Sequence, residues 1–157
     1  MAKKKSDDNA IAVNRRARHE YEINETFEAG MVLHGTEVKS LREGKANVSD
    51  AFARVNPAGD VELVNLHIPP YSKAARGNHE PTRARKLLMH KKEIERLRGK
   101  TQEKGFTLVP MKMYWKNGYA KILLGLGRGK KLYDKRADIK KRDVERQLAR
   151  VMREHKR

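Results

Sequence analysis

Residues 127–136, Gly-Arg-Gly-Lys-Lys-Leu-Tyr-Asp-Lys-Arg, offer the chain's densest set of chemical groups: cations set between glycines and followed by a planar ring. From Arg128 to Arg157 there are 13 Lys or Arg against 5 Asp or Glu, so these 30 residues carry +8 of the net +17. So polar a stretch cannot bury itself, and its excess charge calls for a polyanion. The glycines themselves fail as a nucleotide loop. A Walker loop needs Gly, four residues, then Gly-Lys and a hydroxyl, yet Leu124 and Lys131 stand at the required first-Gly and hydroxyl positions. Lys130 likewise breaks the dinucleotide pattern that Gly125 and Gly127 begin.

Catalytic sets are missing too. The histidines at 19, 34, 67, 79, 90 and 155 include no pair spaced for a metal on one helical face, and zero Cys excludes disulfides and thiolate chemistry. Each carboxylate sits among Lys and Arg, the pattern of solvated ion pairs rather than of an acid and a base driven apart in pKa. The expectation is a binding protein with no cofactor, no metal and no enzymatic step.

At 157 residues the chain fits one domain plus tails. A pI of about 10.2 favours nucleic acid over an anionic membrane, since no apolar run nears the ~20 residues a span needs and no secretory h-region is seen. A cytoplasmic, soluble protein is expected.

The elements that must position the cations read as follows. Residues 1–9 form a disordered tail. Residues 26–33 are predicted as a short helix, and 36–42 as strand-like alternation. Residues 51–55 and 61–68 form a hairpin about Asn56-Pro57-Ala58-Gly59-Asp60, stopped by Pro69 and Pro70. Residues 71–81 are an exposed loop. A helix is predicted over 83–98, with Leu87, Ile94 and Leu97 on one face and Gly99 as its stop. Val109, Met111, Met113 and Trp115 alternate with Lys112 and Lys116, and Asn117-Gly118 is the type I′ dipeptide that returns the chain through 119–126. Many short strands with two central helices imply a mainly β fold, a small antiparallel barrel of the OB type with flanking short helices. The division expected is a barrel over 10–131 and a basic, disordered tail over 132–157, conditionally helical through Val144, Leu148, Val151 and Met152.

Several segments, taken together, resemble the SsrA-binding protein family, also called small protein B: Asn14-Arg15-Arg16-Ala17, Glu28-Ala29-Gly30, residues 35–42 (GTEVKSLR), Arg85-Lys86-Leu87-Leu88, and Gly129-Lys130-Lys131 with Asp134-Lys135-Arg136. They are collinear from about Asn14 to the end of the chain. The resemblance implies an adaptor that binds the tRNA-like domain of transfer-messenger RNA as a monomer and carries it to stalled ribosomes for trans-translation. It implies RNA contacts at Asn14, Glu28 and Leu88, with Arg15, Arg16, Lys39, Arg85, Lys86, Lys121 and Lys130 as cationic neighbours. For the tail it implies that Tyr133, Asp134, Lys135, Arg136, Val151 and Met152 meet the small subunit's decoding centre and mRNA channel.

The residues themselves leave some of these roles open. Glu28 can accept from a base or ribose, or cap a helix N-terminus. On a helix Leu88 points about 120° from Ile94 and about 180° from Leu97, hence outward, whereas in a short strand it reads as core. Asn14 suits a nucleotide edge or its own backbone; Tyr71 is an open stacking candidate, and Trp115 reads as core. A structural ribosomal protein shares the size, charge and small barrel, and remains the competing class.

Overall fold

A computed structural model describes residues 9–103, 105–130 and 132–155, with side chains left out of account at 132–135. The disordered tail expected over 1–9 therefore lies outside the described residues except for Asn9, whose carbonyl accepts the Trp115 N–H at 2.9 Å.

Seven strands make one antiparallel sheet: β1 (Ala10–Val13), β2 (Tyr21–Met31), β3 (Phe52–Val55), β4 (Val61–Val64), β5 (Arg85–Leu88), β6 (Phe106–Lys116) and β7 (Tyr119–Gly129). The order β1-β6-β3-β4-β5-β2-β7 gains a further β6–β7 pairing, so six strands close into a ring and β1 rides on the outside of β6. Closure removes the free edges that an open sheet would expose. The helices are α1 (Ala17–Glu20), α2 (Gly35–Arg42), α3 (Lys91–Gln102) and α4 (Leu132–His155). The mainly β class with flanking short helices is the one expected.

Inside the ring lie Leu63, Leu87, Leu108, Met113, Ile122, Leu124 and Leu126, with Leu41 of α2 and Leu97 of α3 added from the helices. A smaller cluster of Ala17, Val109 and Met111 sits on the outer surface under α1. Register shifts between Ile23 and Glu25 and between Pro110 and Lys112 explain the pair of clusters. Each bulge inserts a residue and exchanges the faces, so Val109 and Met111 pack outward while Met113 packs inward. The one apolar face expected for β6 is thus two faces.

Four further expectations are corrected. Residues 26–33 are mostly β2 rather than helix: Phe27 and Ala29 are buried and Thr26 and Glu28 exposed, a period of two. Residues 36–42 are α2 rather than strand. Glu37 sits at the helix's third position and accepts the His34 N–H at 2.9 Å, a reach-back cap that stabilises the first turn. The helix predicted over 83–98 splits into β5 and α3, because Arg85 and Leu87 point inward and Lys86 and Leu88 outward before the chain turns at His90. Gly99 lies inside α3 and stops nothing. Finally, the returning strand expected over 119–126 runs on through Gly127, Arg128 and Gly129 as β7. A side chain at Gly127 would meet the Glu22 carbonyl at 2.1 Å, so glycine there permits the backbones to approach.

The hairpin of β3 and β4 and the irregular 71–81 segment stand as expected, but the second strand, expected over 61–68 with Pro69 and Pro70 as its stop, ends at Val64, where Asn65 turns the chain with a φ of 61°. Asn117 and Gly118 have φ of 51° and 79°, both in the left-handed region that a type I′ turn requires. After Gly129 the chain runs as the 24-residue α4, where the sequence suggested a tail helical only under conditions. Its stripe of Val144, Leu148, Val151 and Met152 is exposed along the whole length.

Candidate nucleic-acid interface

The strand registers assemble an outer surface from four strands. Gly30 of β2 pairs with Leu88 of β5 on one side and with Lys121 of β7 on the other, and Lys121 pairs in turn with Tyr114 of β6. Leu88, Gly30, Lys121 and Tyr114 therefore form one row across the barrel. In the next row Glu28 pairs with Leu123, and Leu123 with Lys112. Arg15 and Arg18, on the turn before α1 and on α1 itself, border a hollow shared with Lys112 and Leu123, which extends the cationic surface past the barrel's edge.

Glu28 is the anion of this surface. The Tyr114 hydroxyl and the Lys116 ammonium both donate to it, the latter at 3.1 Å and 3.3 Å. The Tyr114 bond, followed by Lys116, holds the Glu28 carboxyl below its ordinary pKa against a small opposing effect of burial. Burial and the Glu28 carboxylate push the Tyr114 hydroxyl pKa upward, so it stays a donor at neutral pH. The helix-cap alternative for Glu28 is corrected, because the residue lies in β2 and starts no helix. Glu28 is a strand residue presented by Tyr114. Leu88 is 54% exposed, so it points outward although it lies in a short strand. Lys86 is exposed two residues before it and pairs with Asp60 at 3.5 Å.

Arg85 requires correction as an RNA contact. It is fully buried, and its guanidinium donates to Glu37, to the Leu66 carbonyl at 2.5 Å and to the Pro81 carbonyl at 3.1 Å. Burial by itself would raise the Glu37 pKa, but the His34 N–H, Arg83 and Arg85 outweigh it and lower it. Arg85 therefore ties α2 and the 66–81 segment to β5. Asn14 is also buried: its Nδ2 donates to the Pro110 carbonyl at 2.9 Å, clasping β1 to the β6 bulge rather than bonding its own backbone, while its Oδ1 meets no donor among the described residues.

Lys130 is a joint as well. Its ammonium donates to the Arg18 carbonyl at 2.8 Å and pairs with Asp138, linking α1 to α4. Arg16 turns to a different hollow, beside Glu20, Asp50 and Phe52. Lys39 lies on α2, 5.5 Å above the Tyr71 ring, away from the rows. Trp115 packs against the core as expected. The side chains of Tyr133, Asp134 and Lys135 fall outside the described residues, whereas Arg136, Val151 and Met152 are exposed on α4.

The residues that sequence reading missed are Lys112, Tyr114, Lys116 and Tyr119. Their signal was period two, visible as Lys112 and Lys116 opposite the apolar set, yet the bulge at Pro110 hides which face they reach. Among the described residues no three His, Asp or Glu converge as a metal set, and no helix is long and apolar enough to cross a membrane.

A closed, strongly basic β barrel with exposed cations, an aimed carboxylate and an outward leucine on one face defines a small nucleic-acid-binding barrel. A family model described as SmpB protein matches residues 11–154, and the chain belongs to that family. The SsrA-binding protein of Oceanobacillus iheyensis is 52% identical over 153 residues, spanning 98% of this chain and 99% of its own. That of Desulforudis audaxviator is 60% identical over 143 residues, 91% of this chain and 93% of its own. Among solved structures, a chain of "tmRNA-SmpB: a journey to the center of the bacterial ribosome" is 57% identical with a TM-score of 0.64, covering 77% of this chain and 85% of that one.

Proposed function

We propose that the protein is an RNA-binding adaptor for transfer-messenger RNA. Its barrel, residues 10–131, holds the tRNA-like domain on the outer surface of β2, β5, β6 and β7, and the complex enters stalled ribosomes for trans-translation. Arg15, Lys112, Lys116 and Lys121 neutralise phosphates, Glu28 accepts from a ribose hydroxyl or a base amino group, and Leu88 packs on the RNA. Residues 132–157 meet the small subunit's decoding centre and mRNA channel through Tyr133, Asp134, Lys135, Arg136, Val151 and Met152. The protein itself catalyses no step, acts in the cytoplasm and binds as a monomer.

The observation that carries this reading is the pair of rows Leu88-Gly30-Lys121-Tyr114 and Glu28-Leu123-Lys112, which gathers cations from strands far apart in sequence around one anion. Duplex or loop phosphates need such a surface, and an isolated acceptor among donors suits a 2′-hydroxyl. Sequencing the RNA that co-purifies with a tagged copy tests it. One dominant tRNA-like species with an internal reading frame is expected; stoichiometric ribosomal RNA and ribosomal proteins instead would assign the chain to the ribosome's own structure.

A further inference from the structure

Away from the rows, α2 and the irregular 71–81 segment enclose a cleft of about 740 Å³ whose walls carry Lys39, Arg76, Arg83 and Glu80. The segment has neither strand nor helix to hold it, so side chains do. The Asn78 side chain accepts the Tyr71 N–H at 2.8 Å and donates to the Tyr71 carbonyl at 3.0 Å, closing residues 71–78 into a loop. The Ile68 carbonyl can only accept, so the buried His79 donates to it through Nε2 at 2.8 Å, while Nδ1 bonds the Thr36 hydroxyl at 2.9 Å. Ser40 of α2 donates to the Pro69 carbonyl at 2.8 Å. A loop pinned in this way to itself and to α2 holds its cations in place before any ligand arrives, which lowers the ordering cost of binding.

We propose that this cleft binds a small phosphate monoester, such as a mononucleotide, at a site separate from the RNA surface. Glu37 pairs with Arg83 and Arg85, and Glu80 stands near enough to Arg85 to favour its charge. These four groups cancel, which leaves Lys39, above the Tyr71 ring, and Arg76 without an ion pair among the described residues. Two uncompensated cations match a phosphate monoester, whose charge is about −2 at neutral pH, better than a backbone diester with its single charge. Arg76 and Arg83 each present a fork of N–H donors, the geometry that phosphate oxygens accept. Arg83 Nε is moreover buried and meets no acceptor among the described residues, a destabilising gap that an anionic ligand would fill. The cleft is roomier than a phosphate needs and includes Ala74 and Ala75, so the rest of the ligand finds hydrocarbon to lie against. None of its lining residues belongs to the two rows. Its cations converge from α2, the loop and the chain just before β5, whereas an RNA strand calls for a groove that tracks its backbone.

The test titrates the isotope-labelled full chain, at constant ionic strength, with AMP, with adenosine and with a short RNA that ends in hydroxyls and so offers only diesters. The amide signals of Gly77 and Asn78 should move saturably with AMP and stay in place with adenosine and with the RNA. Arg76→Ala, on the exposed loop, should weaken AMP binding ~10-fold, the loss of one charge-assisted contact, and Lys39→Gln comparably. Arg76→Ala should leave the melting temperature and the affinity for the tRNA-like domain unchanged, whereas Lys121→Ala should weaken the RNA complex and leave AMP binding alone. The proposal fails if AMP moves these signals no further than adenosine does, or if Arg76→Ala and Lys39→Gln both bind AMP as wild type does; the RNA reading survives either result. It fails too if the hydroxyl-ended RNA moves the same signals and Arg76→Ala weakens the tRNA-like domain, because the cleft then belongs to the RNA surface.

Discussion

The Tyr114 hydroxyl on β6 donates to Glu28 on β2 across the intervening strand β7. That bond, with Lys116 on the same carboxylate, fixes the direction of the anion that the two rows set among their cations. A free glutamate there would sample many rotamers and pair with whichever lysine came nearest. Held as it is, it keeps an accepting edge for an incoming hydroxyl.

Removing the hydroxyl should therefore alter the titration of Glu28. Because the folded-state pKa is depressed, Tyr114 and Lys116 stabilise the fold above the unfolded carboxyl pKa, and the contribution is lost as pH falls through the folded value. Carboxyl-detected NMR should place the Glu28 midpoint below the usual ~4.3, and Tyr114→Phe should move it upward. Any stability difference between the two proteins should be seen at neutral pH and fade on acidification. An unchanged Glu28 midpoint in Tyr114→Phe would mean the contact does not persist in solution.

Arg85 and Lys121 should separate folding from binding. Arg85→Met leaves the fully buried Glu37 with Arg83 and the His34 N–H alone and removes the Arg85 donor from the Leu66 carbonyl, at a cost of about 3–5 kcal/mol in urea unfolding. Lys121→Ala, on the surface, should stay within about 0.5 kcal/mol of wild type while weakening the RNA complex. If Arg85→Met unfolds normally yet loses RNA, Arg85 is a contact after all.

Binding should also be steeply salt dependent. With about five phosphates met by Arg15, Arg18, Lys112, Lys116 and Lys121, log K against log salt should slope near −4 to −5, taking ~0.9 per phosphate, and Lys121→Ala should flatten it by about one. A slope near zero would rule out a phosphate-binding surface.

Leu88→Ala should cost about 1 kcal/mol or more in RNA affinity and leave unfolding within about 0.5 kcal/mol, as its exposure dictates. Loss of the fold in this variant would show that Leu88 supports the core.

What the sequence reveals of this surface divides along a physical line. The exposure of Leu88 was legible, but through a helical wheel, although the residue belongs to a strand. Leu87 and Leu88 diverge by about 100° on a helix and by about 180° on a strand, so the wrong element still separated the inward leucine from the outward one. Arg85 was not legible, because its partner Glu37 is 48 residues away and a buried arginine looks like any basic residue in a run. His34 and Glu37 hid α2, since histidine is not a customary first residue of a capping box. The type I′ turn and the β3–β4 hairpin were plain because their dihedral demands fall on adjacent residues. The rows were not, because strand register and two bulges decide which lysines share a face.

The central claim, that the barrel holds the RNA and residues 132–157 serve the ribosome, is tested most directly by ending the chain at Lys131. Affinity for the tRNA-like domain should fall only a few-fold, because the rows of β2, β5, β6 and β7 are intact, while tagging of stalled nascent chains should disappear. A truncated protein that still supports tagging at the full rate, or one that no longer binds the RNA, would contradict it.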